Sequence, residues 1–128
     1  MRTKAKPTES IRIKRAYEEP HRGDGRRILV ERLWPRGLRK EAAQIDVWLK
    51  DIAPSTELRQ WYAHDVERWP EFKKRYGAEL RANPDAVDRL RSLVREGPTT
   101  FIYAAHDEAH NSAVVLRAFL GRRLRRTP

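Results

Sequence analysis

Cysteine is absent from the 128-residue chain. That single absence removes disulfides, thiolate zinc sites and cysteine nucleophiles together. It also accords with a reducing compartment, so the cytoplasm is the expected location. Long apolar runs are missing too: none approaches the roughly 20 residues that span a bilayer, and no membrane partner is expected. The basic start, Met1 to Ser10, has no apolar stretch behind it and lacks the pattern of a secretory signal. Glycines are few, six in all, and nowhere form the Gly-rich loop that cradles a nucleotide phosphate or a methyl donor. No cofactor is expected. Internal repeats, low-complexity blocks and helix-turn-helix signatures are also lacking.

What is present fits one hydrophobic core, which is what this length supports. Hydrophobic residues make up 39% and charged residues 36%, with four Trp, four Tyr and three Phe as anchors. The net charge of +10 is concentrated at the ends. Residues 1–15 hold six basic side chains against Glu9, and 117–128 hold five and no acid, which leaves 17 basic and 17 acidic residues in 16–116. Basic ends bind polyanions without sequence preference, so nucleic acid is one candidate partner; solvation is the plainer role for such tails. The expected organisation is a flexible basic tail over 1–10, one domain over 11–120 and a second basic tail over 121–128.

Within the domain, Ile11 to Tyr17 alternates as a half-buried strand does. Ile28-Leu29-Val30 continues to Trp34 as a buried strand, ended by Pro35 and Gly37, with a short helix expected over Arg39–Ala43. Residues 45–52 fit either a strand, through Ile45, Val47 and Leu49, or a helical stripe, through Ala42, Ile45, Trp48 and Leu49. The β-branched and aromatic content favours the strand. Ser55 or Thr56 caps the next helix, which Leu58, Trp61 and Tyr62 stripe. His64-Asp65 interrupts it, and Pro70 predicts a restart near Trp69. Trp69, Phe72, Tyr76 and Leu80 mark one helix. Asn83-Pro84 opens another along Val87, Leu90, Leu93 and Val94, which Gly97 stops. Thr99 to Ala105 is the last strand, and a closing helix is expected from Asp107 or Glu108. Strands separated by helices predict an α/β fold: one three-layer domain with a small, mostly parallel sheet of about four strands flanked by helices.

In open parallel sheets, ligands bind beyond the carboxyl ends of the strands. Those ends carry Arg32, Trp34 and Arg36, then Lys50, Asp51 and Ser55, then His106, Asp107, His110 and Asn111. Two arginines around a rigid Leu-Trp-Pro turn suit a carboxylate or phosphate, though Arg32 could instead pair with Glu31 or Asp51 and Trp34 could be core. Asp107 suits a helix N-cap beside an anion site. His110 has the pKa range of a general acid or base and Asn111 suits an orienting role, so these two are the candidate catalytic residues. His106 and His110 stand at i and i+4, but the intervening residues are not those of a zinc protease and no third ligand is evident, so no metal is expected.

These same segments carry a resemblance. Arg26 through Gly37 with its Leu-Trp-Pro-Arg-Gly block, Trp48 to Ser55, Glu57-Leu58-Arg59, His64-Asp65, Arg68-Trp69, Phe72, and Tyr103-Ala104-Ala105 through His110-Asn111 resemble the YeaO-like family, domain of unknown function family 488. The likeness spans about residues 11–120. It implies no established function. More distant members are similar in carrying a Cys-His-Arg motif after the last strand, whereas this chain has no cysteine there, so thiol chemistry does not carry over. The expectation from sequence is an anion-binding pocket at the carboxyl edge of the sheet, with a small anionic ligand as partner. Whether it turns over a substrate stays open, and a nucleic-acid accessory role through the basic ends is the alternative.

Overall fold

The computed structural model describes residues 11–126, with side chains through Gly121. Four strands form one wholly parallel sheet in the order β1-β4-β2-β3. They are β1 (Ile11–Arg15), β2 (Arg26–Leu29), β3 (Val47–Trp48) and β4 (Thr99–Tyr103). Between and after them come α1 (Lys40–Ala43), α2 (Thr56–Tyr62), α3 (Trp69–Arg81), α4 (Pro84–Arg95) and α5 (Ser112–Arg126). The expected α/β class holds, with central β4 flanked by β1 in register Ile11 with Thr99 and by β2 in register Arg26 with Thr99.

The two crossovers flanking β3 run in opposite directions along the sheet. Right-handed connections must then cover opposite faces. They do: α2, α3 and α4, all in the β3-to-β4 connection, join α5 over the face carrying Ile28, Val30, Phe101 and Tyr103. The β2-to-β3 connection lays Trp34, Leu38 and Ile45 over Leu29 and Ile102 on the other. The layers are unequal, because the second face is roofed by a loop and the single turn of α1 rather than by long helices. Trp34 and Trp48 meet edge to face at 5.4 Å, and their indole N–H groups donate to Leu38 and Glu31 carbonyls at 2.7 Å each, which pins that loop.

At the amino ends of the strands lies a buried ionic knot. Asp24 receives Arg27 at 2.6 Å, Lys14 at 3.1 Å and the His21 N–H at 3.0 Å. Arg27 spends its remaining donors on the Ala43 and Gln44 carbonyls. Gly25 follows with φ +66, where a Cβ would collide with the Pro98 carbonyl, so only glycine fits this entry to β2.

Three expectations need correction. Residues 45–52 do not form a long strand. Only Val47 and Trp48 pair with β2, and Lys50–Ile52 is a 3₁₀ turn. The alternation fails because Ile45 packs with Trp48 on one face while Val47 and Leu49 serve the other. The second strand ends at Leu29 rather than near Trp34, since the chain leaves the sheet to cover its face. The closing helix begins at Ser112 rather than at Asp107 or Glu108. Asp107 caps its own turn, accepting from the Ala109 and His110 N–H groups, and Asn111 takes the first-turn N–H of Val114. His106 and His110 therefore do not share a helix face. Helix α5 runs from Ser112 to Arg126, and residues 1–10 and 127–128 lie outside the described residues.

Candidate functional site

Beyond the carboxyl ends of β2 and β4 opens a cleft of about 550 Å³. Its sheet side is Glu31, Ala104 and Ala105; α2 and its exit contribute Arg59, Tyr62 and His64; the turn before α5 contributes His106, Asp107 and His110. Phe72 closes the apolar side, stacked on Tyr62 at 4.4 Å.

Each polar group is placed by a local cause. Glu31 follows the buried run Ile28–Val30, so its side chain emerges where the sheet stops; Oε2 accepts the Ala104 N–H at 2.9 Å. Burial pushes the Glu31 carboxyl up, against the Ala104 hydrogen bond and the nearby Arg59 and His64, which pull it down. Arg59 rides α2, whose start is fixed by Ser55: its Oγ accepts the Leu58 N–H at 3.1 Å. The half-buried Arg59 guanidinium makes no ion pair or hydrogen bond among the described residues. His64 is turned toward the cleft by two successive left-handed residues, Ala63 at φ +47 and His64 at φ +59. Such strain costs on the order of 1 kcal/mol per residue and gathers at functional sites.

His110 is oriented from behind. Its Nδ1 lies 2.9 Å from Asp107 Oδ2, and its ring stands edge-on to Trp69 at 5.1 Å. The Ala109 N–H and the His110 ring hold the Asp107 carboxyl below the usual carboxylate range. Nδ1 engaged in this way leaves Nε2 to meet a ligand. Asn111 is buried, donating to the Asp107 carbonyl at 3.0 Å while its Oδ1 caps α5. Ser112, at the amino end of α5, borders the cleft and brings the positive end of a helix of 15 residues to it. Among the described residues no three His, Asp or Glu side chains converge on a position for a metal.

Of the residues expected from sequence, His106, Asp107, His110 and Asn111 meet here, whereas Arg32, Trp34, Arg36, Lys50, Asp51 and Ser55 do not. Arg32 donates to the Ala53 and Pro54 carbonyls at 3.1 and 3.3 Å, stapling the loop to the 3₁₀ turn; neither Glu31 nor Asp51 is its partner. Trp34 is core. Arg36 is exposed, its carbonyl taking the Tyr17 O–H at 2.8 Å. Lys50 covers the Trp48 ring at 4.3 Å in a separate small hollow with Asp51 and Arg89. Ser55 is bound to Glu79 at 2.6 Å. Sequence reasoning missed Glu31, Arg59 and Tyr62 as cleft residues and took His64 for a helix boundary. The available signal was a charged residue directly after a buried strand run. A larger hollow of about 700 Å³ lies at the opposite end, near Arg26 and Pro98, but its Arg26 is neutralised by Glu96 at 2.5 Å.

Residues 10–128 match the family described as the inactive DUF488-N3 subclade. The chain belongs to this DUF488 family. It is 42% identical over 113 residues to the uncharacterised protein Rv3073c of Mycobacterium tuberculosis (strain ATCC 25618 / H37Rv), covering 88% of this chain and 95% of the relative. It is 40% identical over 111 residues to the uncharacterised protein YeaO of Escherichia coli (strain K12), covering 87% and 96%. No solved structure gives a significant match. The family match thus covers the whole described domain. No helix among the described residues is long and apolar enough to cross a membrane.

Proposed function

We propose that this DUF488 domain binds a small anion of phosphate or carboxylate type in the cleft at the carboxyl edge of its sheet. The observation that carries the reading is Arg59: a half-buried guanidinium facing a cleft, with no ion pair or hydrogen bond among the described residues. A guanidinium in that position is a ready two-pronged donor for an oxyanion. The amino end of α5 adds positive potential, and His64 and His110 add ring N–H groups. A chain without cysteine in a subclade described as inactive supports binding rather than thiol chemistry. The anion moves from the Arg32–Arg36 pair, where the sequence located it, to Arg59, because Arg32 is engaged by backbone carbonyls.

Thermal-shift measurements with inorganic phosphate and with acetate test this. An anion at 100 times its dissociation constant stabilises the fold by about 2.7 kcal/mol. The shift should be lost in Arg59→Ala and kept in Arg36→Ala. A shift that survives Arg59→Ala, or one produced only by oligonucleotides and erased by salt, would contradict the proposal; the second result would move the function to the basic ends.

A further inference from the structure

Glu31 is the feature of the cleft that anion binding leaves unexplained. A site built only for an oxyanion has no use for a half-buried carboxyl on its floor, because two anions repel at short range. Glu31 has one backbone donor, Ala104 on Oε2, and forms no ion pair among the described residues. Arg59 lines the same cleft and is near enough to pull the Glu31 carboxyl down, yet the two do not pair. Buried charges are normally paired within the protein, as Asp24 and Arg27 are at 2.6 Å. Opposite charges that line one cleft without forming an ion pair suit a ligand with two complementary ends.

We infer that the ligand of this cleft, resting on the anion site proposed above, is zwitterionic: an oxyanion at Arg59 and an amine-type nitrogen donor at Glu31. The class comprises small amino acids and amino phosphates. Tyr62 and Phe72 form the apolar wall against which a short carbon spacer lies. His64 lines the same cleft. Glu31 acts by accepting from the ligand nitrogen, which relieves the desolvation that its position imposes.

Calorimetric titration of the full chain with matched pairs tests this: ethyl phosphate against 2-aminoethyl phosphate, and propionate against β-alanine. Within the pair whose oxyanion fits, the amine should tighten binding about tenfold, the size of one charged hydrogen bond. Glu31→Gln should shrink that ratio to about twofold or less while the amine-free anion binds at least as well as before. The wild-type comparison needs no variant and stands even if Glu31→Gln folds poorly. Equal affinities within both pairs, with binding still dependent on Arg59, would overturn the zwitterion and leave the anion site standing. An amine advantage that survives Glu31→Gln would also overturn it. No binding by any of the four would remove both.

Discussion

Asp24 precedes β2 and Glu31 follows it, and the two carboxylates meet opposite surroundings. Asp24 is 3% exposed and fully partnered by Arg27, Lys14 and a backbone N–H. Burial alone would raise its pKa, but those partners outweigh burial and hold the carboxyl below its ordinary value. Glu31 has one backbone partner, and for it burial wins. Charge at the amino end of the sheet is thus consumed in holding the fold together. At the carboxyl end the Glu31 carboxyl forms no ion pair among the described residues, and neither does Arg59 in the same cleft. Partnering, rather than the number of charged side chains, separates the structural end from the proposed binding end.

The largest effect is expected at the structural end. Asp24→Ala strands Arg27 and Lys14 without their carboxylate and should cost about 3–5 kcal/mol in urea unfolding. A cost below about 1 kcal/mol would show that the knot is not what closes this end. Because the folded-state pKa of Asp24 is lowered, the stability it contributes is present above the unfolded carboxylate range. That contribution is lost as pH falls through the lowered value. Wild-type protein should therefore weaken in acid more steeply than Asp24→Asn.

Removing the α5 cap comes next. Asn111→Ala should cost about 1 kcal/mol by losing the bond to the Val114 N–H, and should loosen the Asp107–His110 turn. Hydrogen exchange at Val114 should quicken; unchanged protection there would place the cap elsewhere.

Glu31 should behave in the opposite sense to Asp24. Its raised folded-state pKa means that the folded protein carries a cost above that pKa, which fades as pH falls through it. Glu31→Gln should then unfold at higher urea than wild type at neutral pH, with the gain disappearing in mild acid. A loss of stability at neutral pH would mean that Glu31 is structural after all. The smallest stability effect belongs to Arg59→Ala, within about 0.5 kcal/mol, since the guanidinium holds nothing in place.

Much of the fold was legible in the sequence because its signals were local. The Trp69, Phe72, Tyr76, Leu80 stripe and the Asn83-Pro84 start each correspond to a helix of the structure, and Thr99–Tyr103 to its central strand. Residues 45–52 misled because their alternation mixes side chains from both cores around a two-residue edge ladder. Asp107 and Asn111 are both competent caps four positions apart, and only the folded turn shows that the second starts α5. A cleft does open at the carboxyl edge, where parallel sheets commonly carry one, and a larger hollow lies at the opposite end. Which arginine faces the cleft was not legible: Arg32 and Arg59 differ only in whether distant carbonyls, those of Ala53 and Pro54, reach them. That depends on how the 3₁₀ turn packs, which no local pattern encodes.

The most direct test of the contrast between the two ends is an ¹H–¹⁵N titration of the intact protein with inorganic phosphate. The account predicts saturable shifts at Ala105, His106, Ser112 and the Arg59 Nε–H, with the amides around Asp24 and Arg27 unmoved. Shifts spread over exposed lysines and arginines, or centred on Arg26 and Glu96 at the opposite end, would contradict it.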